Sequence, residues 1–232
     1  MAYAILLLGY RNKGGLMNPI VIKKMLKNIP KLMFGFAIIA MGINLTLYAN
    51  LGLNPWGTFH QGLAGISGLS FGAASQITGL LIIAMSLFIK IYPGIGTILN
   101  MFFIGFLVDA FDAMHFIPLS DNLAVKILYL IIGTFLFNYG VYVYLSCELG
   151  AGPRDGLLVG IVKLTGLSVS IVRPIIEITI LLIGIFMGGS YGIGTVLNAI
   201  GGGYILNTIF KYHKFNPKET KQMVITDLIA VK

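Results

Sequence analysis

The heptapeptide GIGTILN at residues 94–100 recurs as GIGTVLN at residues 192–198, with one conservative change. The two copies lie 98 residues apart (192 − 94), and this offset aligns a longer stretch around them without a gap. The aligned glycines and prolines are Gly35 with Gly133, Gly42 with Gly140, Gly52 with Gly150, Pro55 with Pro153, Gly62 with Gly160 and Gly105 with Gly203. A constant offset that also pairs threonine and asparagine indicates an internal repeat of roughly 80 residues.

The amino-acid composition indicates whether this repeat lies in water or in a lipid bilayer. Of the 232 residues, 57% are hydrophobic and 10% are charged, and the mean hydropathy is +0.91. A soluble domain carries about 25% charged residues, so we expect an integral membrane protein whose partner is the lipid bilayer. Apolar stretches long enough to cross a bilayer lie at 32–50, 71–90, 95–113, 127–146, 169–188 and 193–210. The sequence therefore predicts an all-α polytopic membrane helix bundle with about six transmembrane helices.

The net charge of +8 does not indicate nucleic acid, because the basic residues gather beside the predicted spans. One group precedes the first span and another follows the last, a distribution that places both termini in the cytoplasm with an even number of crossings. The expected segments are a basic cytoplasmic N-terminal segment (1–31), a first membrane repeat (32–118), a second membrane repeat (119–211) and a polar cytoplasmic tail (212–232).

Each repeat contains a broken segment after its first span, LGLNP at 51–55 and LGAGP at 149–153. Glycine commonly ends a helix and proline favours the first turn of the next one, so Gly52, Pro55, Gly150 and Pro153 predict helix breaks. The following helix of about 13 residues is near 20 Å long, too short for a hydrocarbon core of about 30 Å. Three crossings per unit predict two inverted repeats, each with a short re-entrant helix. A short helix lying at the membrane surface, or a unit with four spans, stays open.

The heptapeptide itself predicts a helix start in each repeat. Its threonine can cap the new helix through the hydroxyl group, and the asparagine follows one turn inside. One interpretation is packing between the repeats, and the other is a pair of helix N-termini that offer N–H groups to an anionic or carbonyl group. The residues concerned are Gly94, Gly96, Thr97 and Asn100 in the first copy, and Gly192, Gly194, Thr195 and Asn198 in the second.

The two copies differ most where charge appears. Arg154 and Asp155 stand at the positions of Trp56 and Gly57, while Arg173 and Glu177 have uncharged counterparts. An ionisable group inside the membrane is expensive, and such groups commonly mark a site of function. Glu177 lies one turn after Arg173, which allows either a structural ion pair or a substrate or proton site. The candidate substrate or ion site comprises Arg154, Asp155, Arg173, Glu177, Asn100, Asn198 and His60.

Other chemistry finds little support in the sequence. Asp109, Asp112 and His115 share a helix face, but their spacing is a poor metal signature, and we interpret them as an acidic rim. The single Cys147 excludes an intramolecular disulfide. We find no nucleotide-binding loop, no metalloprotease motif and no serine hydrolase motif. The sequence therefore predicts no cofactor, no bound metal and no enzyme activity.

The quoted motifs also carry a resemblance to a known family. The stretches GLNPWGTFHQGL, PGIGTILN and IGFLVD, followed by GAGPRDGL, VRPIIE and GIGTVLN, resemble the YczE/YyaS/YitT family of bacterial integral membrane proteins. The resemblance covers roughly residues 32–210 and implies a multi-pass protein of the bacterial cytoplasmic membrane, of a kind often labelled a permease. Gly57 departs from the pattern, because many relatives carry an acidic residue there.

Two functions remain open at this point. The first is a small permease or secondary transporter of an unknown small solute, with its site between the two repeats. The alternative is a non-transporting membrane partner that assembles or stabilises another protein or a biosynthetic complex. Either function is compatible with a homo-oligomer.

Overall fold

The computed structural model describes residues 19–115, 117–217 and 219–228. The first 18 residues of the predicted N-terminal segment and the last four residues of the tail lie outside this range. The described helices are α1 (Pro19–Ala49), α2 (Pro55–Ser67), α3 (Phe71–Phe88), α4 (Ile95–Ala113), α5 (Leu123–Leu145), α6 (Pro153–Thr165), α7 (Val169–Phe186) and α8 (Ile193–Tyr212), followed by a 3₁₀ turn at Ile225–Leu228. Six of these, all except α2 and α6, are long and apolar enough to cross a membrane. The predicted all-α bundle with six spans is confirmed.

The first spans of the two repeats, α1 and α5, form the most extensive helix pair of the described structure. A Cβ atom added at Gly35 would lie 3.3 Å from the carbonyl oxygen of Gly140, and one added at Gly42 would lie 2.7 Å from that of Gly133. As α1 advances, its contacts move backward along α5, so the two helices pack antiparallel. Small residues allow this close approach, which takes the place of a hydrophobic driving force inside a bilayer.

The two short helices pack on the opposite repeat. Helix α2 of the first repeat lies against α7, and helix α6 of the second repeat lies against α3. A Cβ at Gly62 in α2 would lie 2.7 Å from the carbonyl oxygen of Gly184, and one at Gly160 in α6 would lie 2.0 Å from Ile89. Gly62 and Gly160 occupy the same position of the repeat, so each short helix approaches the other repeat through the same glycine. The repeats are therefore interlocked through their short helices.

The described part of the C-terminal segment packs against this bundle. Met223 is 7% exposed and belongs to the core cluster that contains Phe36, Tyr144 and Leu149. Its N–H donates to the carbonyl oxygen of Glu148 at 3.1 Å. We call residues 222–225 the C-terminal strap. The strap ties the tail to the break between α5 and α6.

Candidate functional site

The structure places both predicted helix breaks at the start of a short helix. Pro55 and Pro153 are the first residues of α2 and α6. Gly52 and Gly150 precede them with φ angles of +101° and +126°, a region in which residues with a side chain are strained. In the first repeat the side chain of Asn54 caps α2 by accepting a hydrogen bond from the N–H of Gly57 at 2.9 Å.

Each heptapeptide holds the break of the other repeat. The N–H of Gly96 donates to the carbonyl oxygen of Leu149 at 2.6 Å, and the N–H of Gly194 donates to that of Leu51 at 2.8 Å. A Cβ added at Gly52 would lie 2.5 Å from the backbone nitrogen of Gly192. These reciprocal contacts favour the packing interpretation of the repeated phrase, because the backbone N–H groups of Gly96 and Gly194 are bonded within the protein.

The threonines of the two phrases close their own helix starts. The hydroxyl oxygen of Thr97 accepts from the N–H of Gly94 at 3.1 Å, and that of Thr195 accepts from the N–H of Gly192 at 3.2 Å. The Thr97 hydroxyl also donates to the carbonyl oxygen of Ala151. This additional bond connects α4 to the break of the second repeat, so Thr97 has both a capping and a docking role.

The tips of the two short helices meet at equivalent positions of the repeat. The guanidinium carbon of Arg154 lies 4.7 Å from the centre of the Trp56 ring system, a geometry in which a cation is attracted by the aromatic face. Trp56 is 3% exposed, and its indole N–H donates to the carboxylate of Glu177 at 3.3 Å. Trp56 therefore joins Arg154 of α6 to Glu177 of α7.

Asp155 lies on the next position of α6 and has its own polar neighbours. The Tyr144 hydroxyl and the backbone of Gly152 are polar neighbours of its carboxylate. A Cβ placed on Gly152 would lie 3.3 Å from the Tyr144 hydroxyl oxygen and 3.8 Å from the side-chain oxygen of Asn100. Asn100 is therefore a neighbour of this group. Sequence reasoning did not include Tyr144, because an isolated tyrosine in an apolar span gives no signal.

The sequence suggested an ion pair between Arg173 and Glu177, and the structure does not form it. Neither side chain takes part in an ion pair shorter than 4 Å within the described residues. Arg173 is exposed and Glu177 is half-buried. Arg154 instead interacts electrostatically with Glu177, and Asp155 with Arg173. The four charges thus interact across α6 and α7, and they balance.

The remaining two candidates occupy different positions. His60 is buried one turn behind Trp56, with its ring centre 5.7 Å from that of Phe71. Asn198 accepts from the Thr134 hydroxyl at 3.1 Å and donates to the carbonyl oxygen of Gly194 at 2.9 Å. Asn198 therefore joins α5 to α8 and lies outside the charged group.

The acidic residues at the end of α4 serve neighbouring helices. Asp109 accepts from the N–H of Gly72 at 2.8 Å and from the Ser70 hydroxyl, at the N-terminus of α3. Asp112 accepts from the Tyr48 hydroxyl at 2.6 Å. Among the described residues, no group of three or more acidic, histidine or cysteine side chains is arranged to hold a metal ion.

These features define a class of protein. It is a multi-pass membrane helix bundle with interlocked repeats and a balanced cluster of charges. Residues 26–211 match the DUF6198 family, a family of unknown function, and the chain belongs to it.

The chain is also similar in sequence to three individual proteins. It is 42% identical over 174 residues to the uncharacterized membrane protein YczE of Bacillus subtilis, covering 74% of this chain and 80% of the relative. It is 34% identical over 180 residues to an uncharacterized protein of Haemophilus influenzae, covering 78% and 82%. It is 28% identical over 176 residues to YyaS of Bacillus subtilis, covering 75% and 87%. No solved structure matches the chain significantly. The expected likeness to YczE and YyaS is confirmed, and the likeness to YitT stays a prediction.

Proposed function

We propose that the protein is a small permease, which moves a small solute across the bacterial cytoplasmic membrane between its two repeats. The observation that carries the proposal is the meeting of Trp56 with Arg154, beside Asp155 and Glu177, where the two short helices approach each other. Transporters with inverted repeats bind substrate at such an interface, between helices that are broken at membrane depth. Ionisable groups within the membrane commonly belong to substrate or proton pathways.

The proposal includes an orientation. We infer that both termini face the cytoplasm and that the two repeats are inverted with respect to the membrane. The antiparallel packing of α1 on α5 supports this arrangement, because equivalent helices of inverted repeats run in opposite directions.

Thiol labelling tests the orientation on the native background. Cys147 is fully buried and its burial raises the pKa of the thiol, so it should react poorly. Lys163 and Asp121 are exposed. Six crossings with cytoplasmic termini predict that Asp121, after the third span, lies outside and that Lys163, after the fourth, lies inside. A membrane-impermeant maleimide added to intact cells should label Asp121→Cys and not Lys163→Cys. Labelling with the reverse pattern would contradict the orientation.

Flux in proteoliposomes tests transport. The purified protein is given labelled amines, amino acids and carboxylates in turn, with and without an imposed proton gradient. We expect uptake of one class, reduced at least tenfold by Glu177→Gln and by Arg154→Gln at normal abundance. Asp121→Asn is the matched control, since Asp121 is exposed and distant along the chain from the charged group.

Two results would count against the proposal. Unchanged flux in Glu177→Gln removes Glu177 from the site. The absence of flux for every class, together with co-purification of one protein from the native membrane, would instead favour a non-transporting assembly partner.

A further inference from the structure

A cavity of about 160 Å³ lies between the two repeats, beside the N-terminus of α6. The end of α3, the start of α4, the first turns of α6 and the C-terminal strap form its wall. Its lining residues include Ser86, Tyr92, Asp155, Gly156, Val159 and Gln222. An engineered apolar cavity of about 150 Å³ holds a benzene molecule, so this volume suits a compound of about six non-hydrogen atoms.

The equivalent space in the other half of the molecule is filled. The hydroxyl of Thr58 in α2 donates to the carbonyl oxygen of Ser190 at 3.0 Å. The side-chain oxygen of Gln61 accepts from the N–H of Ser190 at 2.7 Å. At an offset of 98 residues, Thr58 and Gln61 correspond to Gly156 and Val159, which line the cavity. The cavity therefore results from side chains that the second short helix lacks.

Packing on the facing helix differs in the same way. Gly184 in α7 lies so close to α2 that a Cβ there would be 2.6 Å from the backbone nitrogen of Phe59. Its counterpart in α3 is Ser86, and a Cβ on Gly156 would meet the Ser86 hydroxyl oxygen at an ordinary 3.5 Å. The contact between α3 and α6 is consequently looser than the contact between α7 and α2.

Two polar side chains at this cavity have room for a further hydrogen-bond or ion-pair partner. Ser86 is 4% exposed, and its hydroxyl oxygen has no hydrogen-bond partner among the described residues. Asp155 has Tyr144 and Gly152 as polar neighbours but forms no ion pair shorter than 4 Å in the described part of the chain. A carboxylate can accept about four hydrogen bonds, and a buried polar group without a partner is costly. Both groups are suited to a ligand that donates hydrogen bonds.

We propose that this cavity binds a small organic cation with an ammonium group. The ammonium donates to the carboxylate of Asp155 and to the Ser86 hydroxyl, and its alkyl part contacts Val159 and neighbouring apolar side chains. Asp155 is the only charged side chain on the cavity wall within the described residues, so the wall offers an ion-pair partner to a cation and none to an anion of the same size. The Arg154 guanidinium lies over Trp56 and does not line the cavity. That the bound cation is also transported rests on the proposed function. Its binding in the cavity does not.

Calorimetric titration of the purified full chain in nanodiscs tests the inference. Three probes of similar size are used: n-butylammonium, 1-butanol and butyrate. We expect n-butylammonium to bind at least tenfold more tightly than either of the other two. Gly156→Thr should abolish this binding, because it introduces the side chain that the first repeat carries at Thr58. No backbone atom is among the near neighbours of a Cβ at Gly156, the nearest being Ser86 and Ile91 side-chain atoms at 3.5 and 3.9 Å, so we expect the variant to fold.

Gly65→Thr is the matched control, since a Cβ at Gly65 in α2 meets nothing within 4 Å. It should leave the affinity for n-butylammonium within twofold. Asp155→Asn should lower that affinity at least tenfold and remove the preference over 1-butanol, with thermal unfolding used to verify that the variant is folded. Equal binding of the three probes, no binding, or binding that survives Gly156→Thr would overturn the inference. Cation binding without flux of any solute would contradict the permease proposal and leave the inference standing.

Discussion

The crossing of α1 and α5 makes a graded prediction about stability. In Gly42→Ala the new methyl group would lie 2.6 Å from the backbone nitrogen of Phe137 and 2.7 Å from the carbonyl oxygen of Gly133, where ordinary contact begins at 3.4 Å. The two helices must separate locally by about 0.8 Å, the difference between 3.4 and 2.6 Å. Inserting a methyl group into a packed interface of this kind costs about 1–3 kcal/mol.

The matched control is Gly203→Ala in α8, where a Cβ meets nothing within 4 Å. Both substitutions gain the helix propensity of alanine, about 1 kcal/mol. The difference between their free energies of unfolding therefore isolates the cost of overpacking, and we expect Gly42→Ala to be about 1–3 kcal/mol less stable than Gly203→Ala. Gly35→Ala should fall between them, because its nearest contact is 3.1 Å.

The assay is equilibrium unfolding of the purified variants in mixed micelles, with helicity followed by circular dichroism as denaturing detergent is added. Activity is not needed as a readout. Equal unfolding free energies for Gly42→Ala and Gly203→Ala would refute the close crossing of α1 and α5. An order in which Gly35→Ala is the least stable variant would refute the register of the two helices.

Two further predictions concern the repeat and the charged group. Thr97→Val should destabilise the protein by about 1 kcal/mol more than Thr195→Val, because Thr97 caps its helix and also donates to Ala151; equal losses in thermal unfolding would argue against the docking role. Trp56→Phe keeps a ring beneath Arg154 but removes the donor to Glu177, so a double-mutant cycle with Glu177→Gln should show a coupling energy of about 1 kcal/mol or more. Additive effects of the two substitutions would mean that the indole and the carboxylate do not interact.

Much of the fold could be predicted because it follows from local patterns. The lengths of the apolar stretches predict the six spans, and the structure begins α2 and α6 at Pro55 and Pro153, where the broken segments end. The constant offset also indicates that Gly52 and Gly150 have equivalent roles. Local patterns do not predict which repeat each heptapeptide contacts. That Gly194 holds the break at Leu51 of the other repeat depends on how the spans pack, which no local spacing records.

The candidate site was predicted in part for the same reason. Arg154 and Asp155 stand out in the sequence as charges without counterparts in the first repeat, and the structure brings them near Glu177. The suggested partner of Glu177 was Arg173, because a spacing of four residues places two side chains on one face of a helix. In the structure, Glu177 instead accepts a hydrogen bond from Trp56, which lies 121 positions away in the sequence. A tertiary partner of this kind prevails over a helical neighbour when the neighbour is exposed, as Arg173 is.

The two halves of this chain share an architecture and differ at the positions that could bind a ligand. Gly52 and Gly150 keep the same residue because both hold interlocked backbones where any side chain would collide. Thr58 and Gly156 do not share such a constraint. Thr58 fills its half with a hydrogen bond, whereas Gly156 leaves space beside a carboxylate that the first repeat does not have. A symmetric pair of repeats would offer two equal surfaces, and divergence at these few positions makes one of them a cavity. Gly156→Thr should therefore make the two halves more alike. It should abolish cation binding in the cavity and keep the fold.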